Sequence, residues 1–476
     1  MPIFINTTAG NAQCVMKNRK EKILMWIIIG FVLLSIEVVI AIPYKSFERL
    51  LNHAPSQVET FVRDGDVHFI TEDFENQEKD KEYSERIIQF INKFRSSFSG
   101  NMPETKKVAS IEGKGLEEYE TLEIKPEIFF ETKSKIRSAI LAEGDKLYFG
   151  NENCEFYAVD IHTKQKLWMY STDEPVQTWP VFMDGKIIFN AGNSLYILDS
   201  ANGNEIYKSA HPSEMSFRVS HDQYAFNDSY VAVSDGVAYY AALNGDLVAV
   251  DIKKAKVIWS ITSENPGAVA SGINFWNGKL YYTDHEGSLC CVDIQTRQMI
   301  FQTRIRDRIF APMYINDGKI YLGGRSCKVY CIDADRGDVI WSSFSYDDTT
   351  WFSGGSVSVG NTLYTCTSDE HTIAAFNKDT GEFLRLYPTE TNAYTAPLLN
   401  GENVVVAATD VYSFNKSYIM EFDTKNHTKL WQASLEDCVL SSPAIYQGVL
   451  YFGSDSGAIY SINLKSLNVI RTTPNL

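Results

Sequence analysis

The side chains most able to do covalent or metal chemistry in this chain are its eight cysteines and eight histidines. A metal site or a redox couple would require them at short, regular spacing, as in CxxC or HExxH. No such spacing occurs, and the histidines are scattered. There is no GxSxG, no P-loop, and no GxGxxG behind a strand. Cys290-Cys291 is an adjacent pair with possible redox use. It lies within a strand-like run, where consecutive side chains point to opposite faces, and that favours core packing. Cys327 and Cys331 match no recognised ligand spacing.

A second set of residues is cationic and aromatic, suited to recognition rather than catalysis. Arg304, Arg306 and Arg308 recur at every second position, which places them on one face of an extended segment. Trp179, Trp351, Phe352 and Tyr394 stand in comparable connecting segments. Arg, Trp and Tyr are the types enriched at protein interfaces, so the expected ligand is a carboxylate-bearing protein partner. Solvated charges and aromatics capping the ends of sheets are the alternative reading.

The elements that must position these residues repeat. Residues 311–345 read as four short strands, cut by turns at Asn316-Asp317-Gly318, Gly324-Arg325-Ser326 and Asp335-Arg336-Gly337. Aligning the chain on the third strand and its turn recovers the unit eight times. The anchors are Asp160, Asp199, Asp251, Asp293, Asp333, Asn377, Asp423 and Asn463, mostly spaced near 40 residues. Four-stranded units at that period imply an all-β, eight-bladed propeller of antiparallel blades over residues 136–476. The Asp or Asn suits the turn that follows, by accepting its backbone N–H groups. Eight positions on come Trp168, Tyr207, Trp259, Phe301, Trp341 and Trp431, large enough to fill the seams between blades. Arg385 and Arg471 take that place in the sixth and eighth copies, which predicts wetter seams there. Cys291 and Cys331 occupy a position held elsewhere by Ala158, Ala249, Ala375 and Ser461, as small core residues would.

The Ala-x-Asp…Trp pattern resembles the PQQ-type (quinoprotein, tryptophan-docking) propeller repeat. Its turn glycine is present only at Gly203, Gly337 and Gly381. The resemblance implies the propeller fold and brings two expectations about function. One is a scaffold without cofactor, similar to the propeller lipoprotein of the bacterial outer-membrane β-barrel assembly machinery. The other is a membrane-bound dehydrogenase using PQQ with Ca²⁺. Members that bind PQQ use acidic and amide residues, a stacking Trp and a vicinal disulfide. Apart from the Cys290-Cys291 pair, that set does not map onto this sequence, so no cofactor, no metal and no catalytic residue are expected.

Composition narrows the partners. A formal charge of −16 argues against nucleic acid, which needs a basic footprint. Residues 23–42, ILMWIIIGFVLLSIEVVIAI, are apolar enough to span a bilayer. Lys17, Arg19, Lys20 and Lys22 precede the run, against Lys45 and Arg49 after it. This asymmetry predicts a single-pass anchor with residues 1–22 cytoplasmic and the propeller extracytoplasmic, a cleaved signal peptide being the alternative. Residues 43–135 form a charged stem. Tyr83, Ile87, Ile91, Phe94 and Phe98 give it an amphipathic helix over about 76–98. Residues 119–131 look extended, with Pro126 confining them to a sheet edge.

Overall fold

A computed structural model describes residues 59–63, 66–70 and most of 121–467; within the last range 193, 210–230, 242–245, 262–271, 285–286, 310 and 345–349 are left out. The chain divides into two compact units, residues 1–104 and 105–476. The anchor 23–42, the helix expected over 76–98 and Arg471 lie outside the described residues. Among the described residues no helix is long and apolar enough to cross a membrane.

In the first unit the described part is a hairpin, β1 (Glu59–Arg63) and β2 (Asp66–Ile70), with Val62 opposite Val67 and Phe61 opposite His68. The charged-stem reading missed it. Its signal is Asp64-Gly65 between two alternating runs, a strong two-residue hairpin turn.

The second unit is eight blades. Blade 5 shows the plan: Tyr314–Asn316, Lys319–Gly323, Lys328–Asp333 and Val339–Phe344, hydrogen-bonded in that order. Alternation of apolar residues, cut by Gly-containing turns, makes an antiparallel meander that must bury both faces. The first strands are half-buried along their length, as at Val181–Met183, Asn274–Trp276 and Ala444–Tyr446, because they line the central channel. The second and third strands are nearly all buried, as in Lys319–Gly323 and Lys328–Asp333. The fourth strands form the rim. Apolar clusters lie between neighbouring blades: Tyr281, Leu289 and Cys291 of blade 4 pack with Ile320, Leu322 and Ile332 of blade 5.

One contact recurs at these seams. Tyr148 Oη and Trp168 Nε1 of blade 1 both donate to the carbonyl of Ser200 in blade 2, each at 3.2 Å. Tyr321 Oη and Trp341 Nε1 of blade 5 do the same to the Lys378 carbonyl of blade 6, at 3.4 and 3.1 Å. In each case the acceptor follows the anchor Asp or Asn. The anchor fixes that turn: Asp160 Oδ1 accepts from the backbone N–H of His162 and Thr163 at 3.0 and 2.7 Å, and Asp333 Oδ1 does so from Asp335 and Arg336 at 2.9 Å each. These bonds hold the Asp160 carboxyl below its usual range; burial opposes them at Asp333, whose carboxyl is nevertheless lowered. Gly381, at φ +73°, lies flat on the Trp341 indole, and a Cβ there would sit 2.6 Å from the ring.

Two seams depart from the expectation. Arg385 does not make seam 6–7 wet. Tyr387, 1 % exposed, fills it against Phe422 and meets His427 Nδ1 at 2.8 Å. The eighth blade takes its fourth strand from the other end of the chain. β4 (Glu127–Glu131) pairs antiparallel with Ala458–Asn463, and Phe129 packs edge-on to Tyr451 at 5.2 Å, in the role that Trp, Tyr or Phe takes in the other blades. β3 (Leu122–Ile124) adds a fifth strand to blade 7, parallel to Thr428–Leu435. The propeller therefore begins at 122 rather than 136, and β4 closes the ring.

The closure is reinforced by an ion pair. Arg137 clasps Asp455 through Nε at 2.9 Å and Nη2 at 2.7 Å, with Lys135 at 3.1 Å. Burial raises the Asp455 carboxyl, and the bonds and charge of Arg137 then carry it below the ordinary value. Stability from this pair is present above the ordinary carboxylate range, near pH 4, and is lost as pH falls through the lowered pKa. Arg137→Met should leave the partly buried Asp455 carboxylate with only Lys135 beside it, costing roughly 2 kcal/mol near pH 7. Thermal melts across pH should show that deficit shrinking as the solution is acidified.

Candidate functional site

The connections from the fourth strand of one blade to the first of the next gather on one face, together with the hairpins between second and third strands. Between blades 4 and 5 the connection alternates strictly. Arg304, Arg306 and Arg308 are exposed, while Ile305, Asp307 and Ile309 are buried. Ile305 and Ile309 enter the core of seam 4–5. Asp307 is the pin. Its Oδ1 accepts the Ser326 backbone N–H at 3.0 Å, and its Oδ2 accepts the hydroxyls of Ser326 and, at 3.0 Å, Tyr330. Burial and the Asp307 charge push the Tyr330 phenol up, so it stays a donor. Gly324 makes the approach possible, since a Cβ there would meet Asp307 Oδ2 at 1.9 Å. Arg306 takes φ +59° as the loop turns, with its N–H donating to the Gly287 carbonyl at 3.0 Å.

The aromatic side of the site was only partly legible. Arg325, in the blade 5 hairpin, lies over the Trp351 ring at 3.6 Å, and its backbone N–H donates to the Arg308 carbonyl at 3.0 Å. Hence the arginine row and the Arg325–Trp351 stack are neighbours. Sequence reading placed Arg325 only in a turn; the missing clue is that this hairpin shares a face with the connections. Phe352 is not a surface residue. It is 2 % exposed and packs on Phe376 at 6.0 Å in the seam between blades 5 and 6. Trp179 and Tyr394 are half-buried in the 1–2 and 6–7 connections, in other sectors of the ring.

The face can present cations and a flat aromatic surface; among the described residues no carboxylate lies within ion-pair distance of Arg304, Arg306 or Arg308. The cysteine pair is elsewhere. Cys291 faces seam 4–5 and Cys290 faces seam 3–4, so the two sulfurs serve different cores. Burial pushes Cys290 to about 12 and Cys291 to about 11. Among the described residues no three His, Cys, Asp or Glu side chains converge as metal ligands. Facing opposite cores, the two sulfurs do not form the vicinal disulfide of a PQQ site.

A family profile of PQQ-type repeats, described as "Outer membrane protein assembly factor BamB", matches residues 122–343 and 325–473. The chain belongs to this family. BamB of Yersinia pestis is 20 % identical over 297 residues, spanning 59 % of this chain and 72 % of that protein. The dehydrogenase subunit of the quinone alcohol dehydrogenase from Gluconacetobacter polyoxogenes is 26 % identical over 140 residues, 24 % of this chain and 19 % of that one. The crystal structure of BamB from Moraxella catarrhalis superposes with TM-score 0.54 at 13 % identity, covering 70 % of this chain and 98 % of that chain. That likeness shows the fold.

Native protein treated with iodoacetamide at pH 8 should keep Cys290 and Cys291 unmodified, because both are buried and neutral there. Peptide mass mapping should find them labelled only after unfolding. A 290–291 disulfide in the native protein would contradict the structure.

Proposed function

We propose that the propeller is a non-enzymatic interaction scaffold in the assembly of outer-membrane proteins, the role for which its BamB relatives are named. In this reading residues 23–42 tether it to a membrane, residues 1–22 stay in the cytoplasm, and the propeller works on the extracytoplasmic side. The partner is a protein with acidic side chains, bound on the face between blades 4 and 6. The observation that carries the reading is the exposed arginine row beside the Arg325–Trp351 stack. A rigid aromatic flanked by cations, held by buried Asp307 rather than by a mobile tail, loses little freedom on binding. Exposed cation–aromatic stacking by itself contributes only about 0.5–1 kcal/mol, so its worth lies in pre-positioning.

A dehydrogenase using PQQ is the second reading, favoured by the short match to the alcohol dehydrogenase subunit. Adding PQQ and Ca²⁺ to the purified chain and recording the absorption spectrum separates the two.

The double change Trp351→Ala with Arg306→Ala tests the scaffold directly. Capture of a partner by the immobilised ectodomain should weaken well over tenfold, since interface anchors typically contribute about 2 kcal/mol or more each. The thermal melt should move little, because neither side chain is buried. Unchanged capture would place the site elsewhere on the propeller.

A further inference from the structure

Blade 7 shows what the rim of this ring can accept. Its outer strand, Thr428–Leu435, carries β3 in parallel, with Leu122 opposite Trp431, Glu123 opposite Gln432 and Ile124 opposite Ala433. Leu122 and Ile124 pack on the cluster containing Trp431 and Leu430. Trp431 is fully buried as a result, whereas Trp259 and Trp341 on uncovered rims keep 9 % exposure. Between the two apolar residues, Glu123 Oε1 accepts a hydrogen bond from Ser434 Oγ at 2.7 Å. The rim thus receives an apolar–acidic–apolar strand at three positions: Leu430, Trp431 and Ser434.

The outer strand of blade 4, Met299–Arg304, has the same register relative to its anchor, since Phe301 pairs with Cys291 as Trp431 pairs with Glu421. The three receiving positions there are Ile300, Phe301 and Arg304. Ile300 is 42 % exposed and Phe301 half-buried, and among the described residues no fifth strand lies over them. Arg304 is exposed, and among the described residues no carboxylate pairs with it. Where blade 7 offers a hydroxyl to the acidic residue of the added strand, blade 4 offers a guanidinium, a stronger and bidentate donor. Blade 5 leaves Val339 and Ile340 exposed too, but its equivalent of Ser434 is Phe344, which cannot receive a carboxylate. Blade 1 repeats the blade 7 set with Leu167, Trp168 and Ser171 but offers the carboxylate only a hydroxyl, so charge complementarity favours blade 4.

We propose that the outer edge of blade 4 binds an extended segment of a second polypeptide, laid parallel to Met299–Arg304. Its side chains run apolar–acidic–apolar, with the central carboxylate on Arg304. The open edge supplies main-chain hydrogen bonds, and Ile300 and Phe301 supply the apolar contact, as in strand addition generally. This surface is the rim; it shares Arg304 with the arginine row of the partner face but uses neither Arg306 nor Trp351.

A labelled peptide with the sequence of residues 119–125, YETLEIK, is a suitable probe because it contains the strand already seated on blade 7. Titrated against the full chain and followed by anisotropy, it should bind saturably and photo-crosslink to the outer strand of blade 4. Arg304→Glu should weaken it at least tenfold, and a peptide carrying Glu123→Lys should regain affinity for that variant. Arg306→Ala should leave peptide binding unchanged, which separates this site from the partner face. Ile300→Lys provides a second disruption should Arg304→Glu alter the melt. Crosslinks confined to blade 7, absence of saturable binding, or affinity indifferent to both substitutions would overturn the proposal.

Discussion

The ring rests on a carbonyl oxygen. At two seams the peptide after the anchor is turned toward the preceding blade, where a tyrosine hydroxyl and an indole N–H share one acceptor, at Ser200 and Lys378; at a third, Tyr281 alone reaches the Ala334 carbonyl at 2.9 Å. The anchor carboxylate or amide makes this possible by holding the N–H groups two and three residues on with its own oxygen, leaving the intervening carbonyl free to face outward. A buried carbonyl without donors is costly, and so is a buried Tyr or Trp without an acceptor. Each satisfies the other only if the blades stand at the right angle. Seam geometry is thus set by polar complementarity, while the surrounding Leu, Ile and Val supply most of the stabilisation.

Seams and faces divide the work. Residues in the seams are tied to a repeating geometry and can vary only within it, as Phe129 and Phe301 do where four blades use Trp. Residues on the connecting loops answer to no such rule. The arginine row exploits this freedom without becoming floppy: its buried neighbours Ile305, Asp307 and Ile309 are fastened into seam 4–5 and the blade 5 hairpin. Blade 7 solves its seam in another way again. Glu421 stands where other blades carry Ala, Cys, Ser or, in blade 2, Ile197. Its carboxylate is fully buried and accepts from Asn400, Asn403 and Trp431, at 2.9, 2.8 and 2.5 Å.

Much of the fold was legible because it repeats. The four strands read from residues 311–345 are the observed strands of blade 5 to within a few residues at their ends, since Gly-containing turns and alternation agree there. The anchors and docking aromatics were legible for the same reason. What escaped was anything that happens once. Seam 6–7 was misread because Tyr387, two places beyond Arg385, takes over the packing. Phe352 was misread because a connecting segment can dive into a seam, and loop residues carry no periodicity to betray it. Arg325 was overlooked because a hairpin turn and an inter-blade connection become neighbours only when the sheet is stacked into a ring.

The closure between β4 and the last blade sets the order in which this molecule can be made. Thr132 reaches Gly457 across 325 residues of sequence. A ribosome adding about 5–20 residues per second needs roughly 16 to 65 s to cover that distance. Throughout that interval the segment that will complete the eighth blade is already synthesised, with Ile128, Phe129 and Phe130 in search of a partner that does not yet exist. Seven blades can form behind it as an open arc with two bare sheet edges. A strand made before the whole of blade 1 is therefore the last to find its place, and what protects it in the meantime must act on the nascent chain rather than on the finished ring.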